Sequence, residues 1–475
     1  MSNGSTVDDV RKVLDAQNAR RWVVAQSTAQ ERIGKLTRLK DAIVSHRNEL
    51  AGAVHADFRK HAAEFEFTDI YPVLEELNFA IEHLARWMEP VHAKSTLELI
   101  GTRSAVRYEA LGLVLILAPW NYPFHLAFIP LIAAIAAGNC VVLKPSNKTA
   151  NTAGVIDKLI SSAFTQDEIA VITGDHRIAD ALLDLPFDHI FFTGSTAIGK
   201  KIMAAAARSL ATVTLELGGK TPAIIDQSAD IETSAQRVMW GKCENAGQTC
   251  IAPDYALVHE SVVDRFVEAA EKTVQSFYGP SPNDWIKNSD YPRMIDDSAF
   301  SRVSKLLQGS VAAGARVAFG GASDAGERYI APTLLVGVTP EMPVMSQEIF
   351  GPILPVLAFR NLDEAIALVR RGEKPLALYV FAEDRAVIER ILASTTSGGA
   401  VVNNVFLQII NPNVPFGGVG ASGQGNYHGE YGFRTFSHAR AVVEQTTASA
   451  MTLLFPPYET KKSRVTQAVL ERLVS

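Results

Sequence analysis

Apolar and polar positions change their period along the chain, and the changes mark out its parts. In the first hundred residues apolar positions recur at helical spacing, as in Ile33, Leu36, Ile43 and Val44, which predicts helices with one buried face. Thr6 with Asp9, and Thr28 with Glu31, supply two start signals. In each, a hydroxyl caps the helix and an acid three residues on reaches back. Leu97-Glu98-Leu99 and Val106-Arg107-Tyr108-Glu109 then alternate around Gly101, which predicts a projecting hairpin. From Gly112 onward, short apolar runs at 113–118, 141–144, 169–173 and 189–193 alternate with helix-length segments such as 126–137 and 153–164. That alternation predicts a parallel sheet with crossover helices. A second alternating region follows Thr221, with strands at 256–258 and 334–336. The glycine-rich stretch 416–425 is the one marked break, and it predicts a separate C-terminal segment ending in a strand around Ala441-Val442-Val443.

Composition narrows the class. The 475 residues are 47% hydrophobic and 20% charged, which is normal for a globular chain of more than one domain. A net charge of -6 leaves no basic surface for nucleic acid. The most apolar stretch, 126–137, is broken by Pro130 and falls short of the ~20 residues of a membrane span. It reads as a buried helix. The polar, acidic start carries no signal-peptide pattern, and the apolar run Met451–Phe455 stops at Pro456-Pro457, so no tail anchor is expected. Cys140, Cys243 and Cys250 are too few for a disulfide framework and predict a cytoplasmic protein.

Several short motifs bear on chemistry. Gly194-Ser195-Thr196-Ala197-Ile198-Gly199 follows a strand and opens a helix, where backbone N–H groups can meet a phosphate. A triphosphate loop would need Ser or Thr after Lys200, but Lys201 stands there. A nucleotide triphosphatase is therefore a poor fit. No metal spacing occurs, so no zinc is expected. Cys250 follows the small, polar Asn245-Ala246-Gly247-Gln248-Thr249, which should end a helix and leave the thiol on a loop. A nucleophilic thiolate would need help there from amides, a base or a cation; an inert thiol is the other reading. Cys140 and Cys243 fit apolar packing. Glu216 ends an apolar strand beside Gly218-Gly219, either solvated at a rim or desolvated as a general base requires.

Seven segments in order resemble the aldehyde dehydrogenase superfamily over about Ala25 to Tyr458. They are Ala118-Pro119-Trp120-Asn121-Tyr122-Pro123-Phe124, Leu143-Lys144-Pro145-Ser146, Phe192-Thr193-Gly194-Ser195 and Leu215-Glu216-Leu217-Gly218-Gly219-Lys220, then Gly247-Gln248-Thr249-Cys250, Glu348-Ile349-Phe350-Gly351-Pro352 and Pro415-Phe416-Gly417-Gly418-Val419. Cys250-Ile251-Ala252-Pro253-Asp254-Tyr255, Tyr427-His428-Gly429 before Phe436-Ser437-His438, and Phe455-Pro456-Pro457-Tyr458 resemble its class 3 branch, which includes fatty, aromatic and coniferyl aldehyde enzymes.

The resemblance implies an α/β fold: a Rossmann-type cofactor domain over 1–90 and 107–217, and an α/β catalytic domain over 218–404. It also implies a β-hairpin oligomerisation arm over 91–106 and 405–450, and a tail over 451–475. It implies Cys250 as nucleophile, Glu216 as base and Asn121 as oxyanion donor. NAD or NADP would be held by Trp120, Lys144, Gly194, Ser195, Thr196, Gly199, Glu348 and Phe350. Many relatives carry glutamate where Asn147 stands, so a 2′-phosphate is expected to be tolerated. Tyr122, Trp240, Ile251 and Phe406 are expected to line the pocket for a medium-chain aliphatic or aromatic aldehyde. A homodimer is expected through the arm. A coenzyme A-acylating enzyme is the nearest alternative, and Glu216 argues against it, since such enzymes generally lack that base.

Overall fold

A computed structural model describes residues 5–94, 96, 99, 101–446, 455–457, 464, 467–468 and 471. The two predicted N-terminal start signals form: Thr6 and Asp9 cap the helix Val7–Ala25, and Thr28 and Glu31 cap the helix Ala29–Phe58, each as a reciprocal box. Leu36 and Ile43 are buried on the second helix, whereas Val44 is exposed. One residue is about 100° of helical turn, so neighbours part company at the edge of a buried face.

The first sheet runs in the order Gly423–Gln424, Thr212–Glu216, His189–Thr193, Leu113–Leu117, Cys140–Lys144, Ile169–Val171. The last five are parallel. Taken in chain order they stand 5-4-1-2-3 across the sheet. The strand order thus reverses between Leu113–Leu117 and His189–Thr193, and in open α/β sheets ligands bind beyond the carboxyl ends of the strands at such a switch point. Three central strands are buried throughout, which explains why they read as continuous apolar runs rather than alternations. The helix His125–Ala137 packs beside them with all its residues buried, Pro130 included. No described helix is long and apolar enough to cross a membrane.

A second sheet runs Arg316–Phe319, Thr333–Val336, Ile353–Phe359, Tyr255–His259, Pro222–Ile225, Ala377–Phe381, Gly399–Val402. Only its first strand is antiparallel to its neighbour. A third, three-stranded sheet joins Val91–Ala93, Thr102–Ala110 and Ser437–Gln445.

Two expectations need correction. The strand that precedes Thr102–Ala110 and pairs with it is Val91–Ala93; Leu97 and Glu98 lie outside the described residues. All three residues of Val91–Ala93 are exposed, so backbone pairing selects them and apolar alternation gives no signal. The glycine-rich stretch does not set off a separate segment. Gly423 and Gln424 pair with Glu216 and Leu215, and a Cβ on Gly423 would lie 2.2 Å from the Leu215 carbonyl oxygen. Only glycine permits that approach. The strand Thr102–Ala110 also runs unbroken through position 106, and the range 451–475 lies mostly outside the described residues.

Candidate active site

Cys250 sits at the end of a backbone that few sequences tolerate. The helix Ile231–Cys243 stops, and Asn245, Ala246 and Gly247 follow with φ of 51°, 53° and 72°. Two consecutive non-glycine residues in the left-handed region cost roughly 1–2 kcal/mol each, and buried hydrogen bonds offset that cost. The Asn245 side-chain amide donates to Asn121 O at 2.9 Å and Gln248 O at 3.2 Å, and Glu64 accepts from Asn245 N at 2.8 Å. Gln248 in turn donates to Asn245 O and Arg293 O and accepts from Ile295 N. This lattice ties the Cys250 loop to the segment holding Asn121, itself buried directly after the switch-point strand.

Glu216 ends the strand Thr212–Glu216, and both its carboxylate oxygens are sealed from solvent without a hydrogen-bond partner. Burial alone lifts its pKa well above the ordinary carboxylate value. The sequence left a solvated rim open as an alternative; the structure removes it. Glu348 is a second such group, pushed up to about 8 by burial and by Asp254, with its Oε1 unpartnered. Burial raises the Cys250 thiol, and the charges of Glu348 and Glu216 raise it further. Both carboxylates therefore act on one sulfur, which is partly buried, whereas Cys140 and Cys243 are fully buried. Near Glu348 lies Lys242, buried with its ammonium unpartnered and lowered to about 8 by burial.

Two cavities meet this region. A narrow one of about 70 Å³ is lined by Cys250 together with all four predicted substrate residues, Tyr122, Trp240, Ile251 and Phe406. Trp240 and Phe406 meet edge to face at 5.3 Å. A broad cleft of about 610 Å³ has Thr196, Lys200, Gly218, Gly219, Lys220 and Glu348 in its wall. A Cβ on Gly218 would lie 2.4 Å from a Glu348 carboxylate oxygen, so a side chain there would push that carboxylate aside. Lys220 holds Asp254 and the carbonyls of Val344 and Gln347. Asp254 accepts from Ile349 N and Arg302 from below holds the carbonyls of Glu348 and Ile349, so the Glu348–Phe350 segment is fixed. Phe350 meets Trp120 edge to face at 5.4 Å.

The cleft fits a dinucleotide. The helix Thr196–Ala206 begins at Ser195 with no side-chain cap, leaving free N–H groups and positive potential for a phosphate. The unpartnered Glu348 oxygen suits a ribose hydroxyl. Lys144 ends its strand with its ammonium on Gly174 O at 2.8 Å, and it is absent from the cleft wall, unlike Thr196 and Glu348. Gly194, Ser195 and Gly199 form the strand-to-helix turn as expected.

Sequence reasoning missed the polar cluster behind the narrow cavity. Lys60 and Asp69 form a fully buried pair at 3.1 Å, and the Lys60 ammonium stands 4.1 Å from the Tyr122 ring centroid. Tyr122 Oη donates to Glu244 Oε1 at 2.6 Å and lies 2.7 Å from Thr249 Oγ1. Glu244, Thr249, Thr68 and His125 all line the cavity. Glu244 had a legible signal: it follows Trp240 by four residues, the spacing of one helix face.

A thiol with a dinucleotide cleft on one side and an apolar cavity on the other is the working arrangement of a cysteine-dependent oxidoreductase. The chain belongs to the aldehyde dehydrogenase family, whose profile matches residues 2–442. It is 43% identical over 427 residues to a 4,4'-diaponeurosporen-aldehyde dehydrogenase of Staphylococcus aureus, covering 90% of this chain and 92% of that one. To a rat (Rattus norvegicus) aldehyde dehydrogenase described as dimeric and NADP-preferring it is 40% identical over 462 residues, covering 97% and 99%. The substrate-bound structure of Staphylococcus aureus AldH superposes with a TM-score of 0.93 at 40% identity, covering 97% of this chain and 99% of that one. The activity is the oxidation of an aldehyde with NAD or NADP.

Proposed function

We propose that Cys250 attacks the aldehyde carbon, that Asn121 and the Cys250 backbone N–H hold the resulting oxyanion, and that Glu216 activates the water that releases the acid. The observation that carries this reading is the position of Cys250: its thiol lines an apolar cavity while the charge of a desolvated Glu216 acts on its sulfur. Burial holds the thiol pKa up, so its proton passes to water as the sulfur attacks, and the unpartnered Glu216 is left as base for the second half of the reaction. An oxyanion donor such as the Asn121 amide contributes about 3–4 kcal/mol. NAD or NADP, when bound, would supply the hydride acceptor for the carbon held by Cys250 and Asn121, which would leave an acyl thioester on Cys250. Glu216 then takes a proton from water as its oxygen attacks the thioester, and the acid leaves as the sulfur is released.

The cofactor residues are Trp120, Lys144, the turn Gly194-Ser195-Thr196 with Gly199, and Glu348 with Phe350. Asn147 is exposed and neutral, with Lys148 beside it, which supports use of NADP as well as NAD. Tyr122, Trp240, Ile251 and Phe406 form an apolar wall that suits a medium-chain aliphatic or aromatic aldehyde. The first sheet with the N-terminal helices serves as cofactor domain, the second sheet as catalytic domain. The open edge Ser437–Gln445 of the third sheet pairs with a second copy in a homodimer, as an exposed edge favours. The free cysteines suit the cytoplasm. Rapid mixing of enzyme, cofactor and aldehyde tests the mechanism: Glu216→Gln gives a burst of about one reduced cofactor per site and then stalls. No burst together with no turnover removes Glu216 from the role of deacylating base.

A further inference from the structure

The narrow cavity is mostly apolar, and one carboxylate reaches it. Phe67, Pro72, Leu126, Trp240, Ile251 and Phe406 give it hydrocarbon walls, and Glu244 puts a carboxylate among them. Burying a carboxylate against apolar surface costs several kcal/mol unless its oxygens are paired. Here only one is. Oε1 accepts from Tyr122. Oε2 has no partner among the described residues and is not sealed as the Glu216 oxygens are. For a residue only 8% exposed, the cavity is the space it opens onto.

The carboxylate is also held from behind. Tyr122 is fixed between Thr249 and Glu244, with the Lys60 ammonium over its ring. Lys60 is shared among Asp69, Glu64 and Glu244, so acids outnumber cations in this cluster. Burial raises Glu244, while the nearby Lys60 ammonium and the hydroxyl of Tyr122 both favour its charged form. His125, on the same wall, is lowered to about 4 by burial and is neutral. The group facing the cavity is therefore an acceptor.

Resting on the assignment of this cavity to the aldehyde, we propose that Glu244 is a specificity-determining residue selecting aldehydes that carry a hydroxyl donor beyond the carbonyl, bonded to Oε2. Thr249 and Cys250 are adjacent in the chain, and Tyr122 links Thr249 to Glu244. The donor thus belongs on the ring or short chain attached to the aldehyde, not at the end of a long tail. A hydroxyaryl aldehyde satisfies both the aromatic wall and the carboxylate.

The test compares kcat/KM for benzaldehyde, 3- and 4-hydroxybenzaldehyde and their methyl ethers, in wild type, Glu244→Gln and Glu244→Leu, with burst titration counting active sites. In wild type at least one hydroxyl compound should exceed its methyl ether by about 10-fold or more, the size of one hydrogen bond to a charged group. Glu244→Leu should erase that ratio and favour unsubstituted benzaldehyde. Glu244→Gln, which keeps a partner for Tyr122, should reduce it. Equal wild-type values for hydroxyl and ether, a preference for the ether, or a ratio unchanged in both variants overturns the proposal. If no aldehyde gives a burst in wild type, the mechanism above fails instead, so the two failures are distinct.

Discussion

The two cavities of this region are opposites. The cleft proposed for the cofactor is a broad space of about 610 Å³ walled by glycines, lysines and Glu348, whereas the cavity proposed for the aldehyde, which Cys250 lines, is a narrow space of about 70 Å³ walled by aromatic and aliphatic residues. A large, charged dinucleotide needs backbone donors and room. A small aldehyde needs a fitted apolar wall that excludes water, since water at the wrong moment competes for the reacting carbon. The contrast shows how one fold separates two demands. The open side is built from strand ends and helix starts of parallel sheets, and the closed side from side chains between them.

Changes at the junction should have the largest effects. Cys250→Ala removes the proposed nucleophile, and steady-state cofactor reduction should fall by about 10,000-fold or more, measured by absorbance at saturating aldehyde. Glu216→Gln should lower turnover by about 100–1,000-fold while sparing the burst. Because burial raises the Glu216 pKa, the carboxylate is protonated and idle at low pH. Wild-type turnover should therefore climb as pH rises through that raised value, and the climb should be missing from slow turnover in the Gln variant. A flat wild-type profile would mean another group limits deacylation.

Changes confined to one side should separate the two. Trp240→Ala opens the aldehyde wall and should cut kcat/KM for an aromatic aldehyde by about 10–100-fold, leaving the KM of the cofactor unchanged. Asn147→Glu acts on the other side. A carboxylate there should reduce kcat/KM for NADP by about 10-fold and that for NAD little, by repulsion of the 2′-phosphate. Wild type that already excludes NADP would end the argument from Asn147. If the Trp240 variant altered cofactor KM, the two sides would not be independent.

Much of this was legible in the residues. The alternation after Gly112 foretold the parallel sheet because buried strands leave long apolar runs, and Thr28 with Glu31 foretold a helix start because capping is local chemistry. Tyr122, Trp240, Ile251 and Phe406 were placed together by motif position, and they do share one wall. What could not be read depends on contacts between distant segments. Lys60, Asp69 and Glu244 look like ordinary surface charges until three separate segments bring them together. The short strand Gly423–Gln424 has no apolar pattern at all; its identity is its glycine, which allows the backbone to come close. The ammonium of Lys144, a residue assigned to the cofactor by motif, rests on Gly174 O, a contact no local pattern encodes.

That small strand has a temporal consequence. Gly423 and Gln424 close over the backbone of Glu216 and Leu215, so the first sheet gains this strand only after the Cys250 loop has been made. A nascent chain, folding from its amino end, therefore holds its thiol before it can complete that sheet.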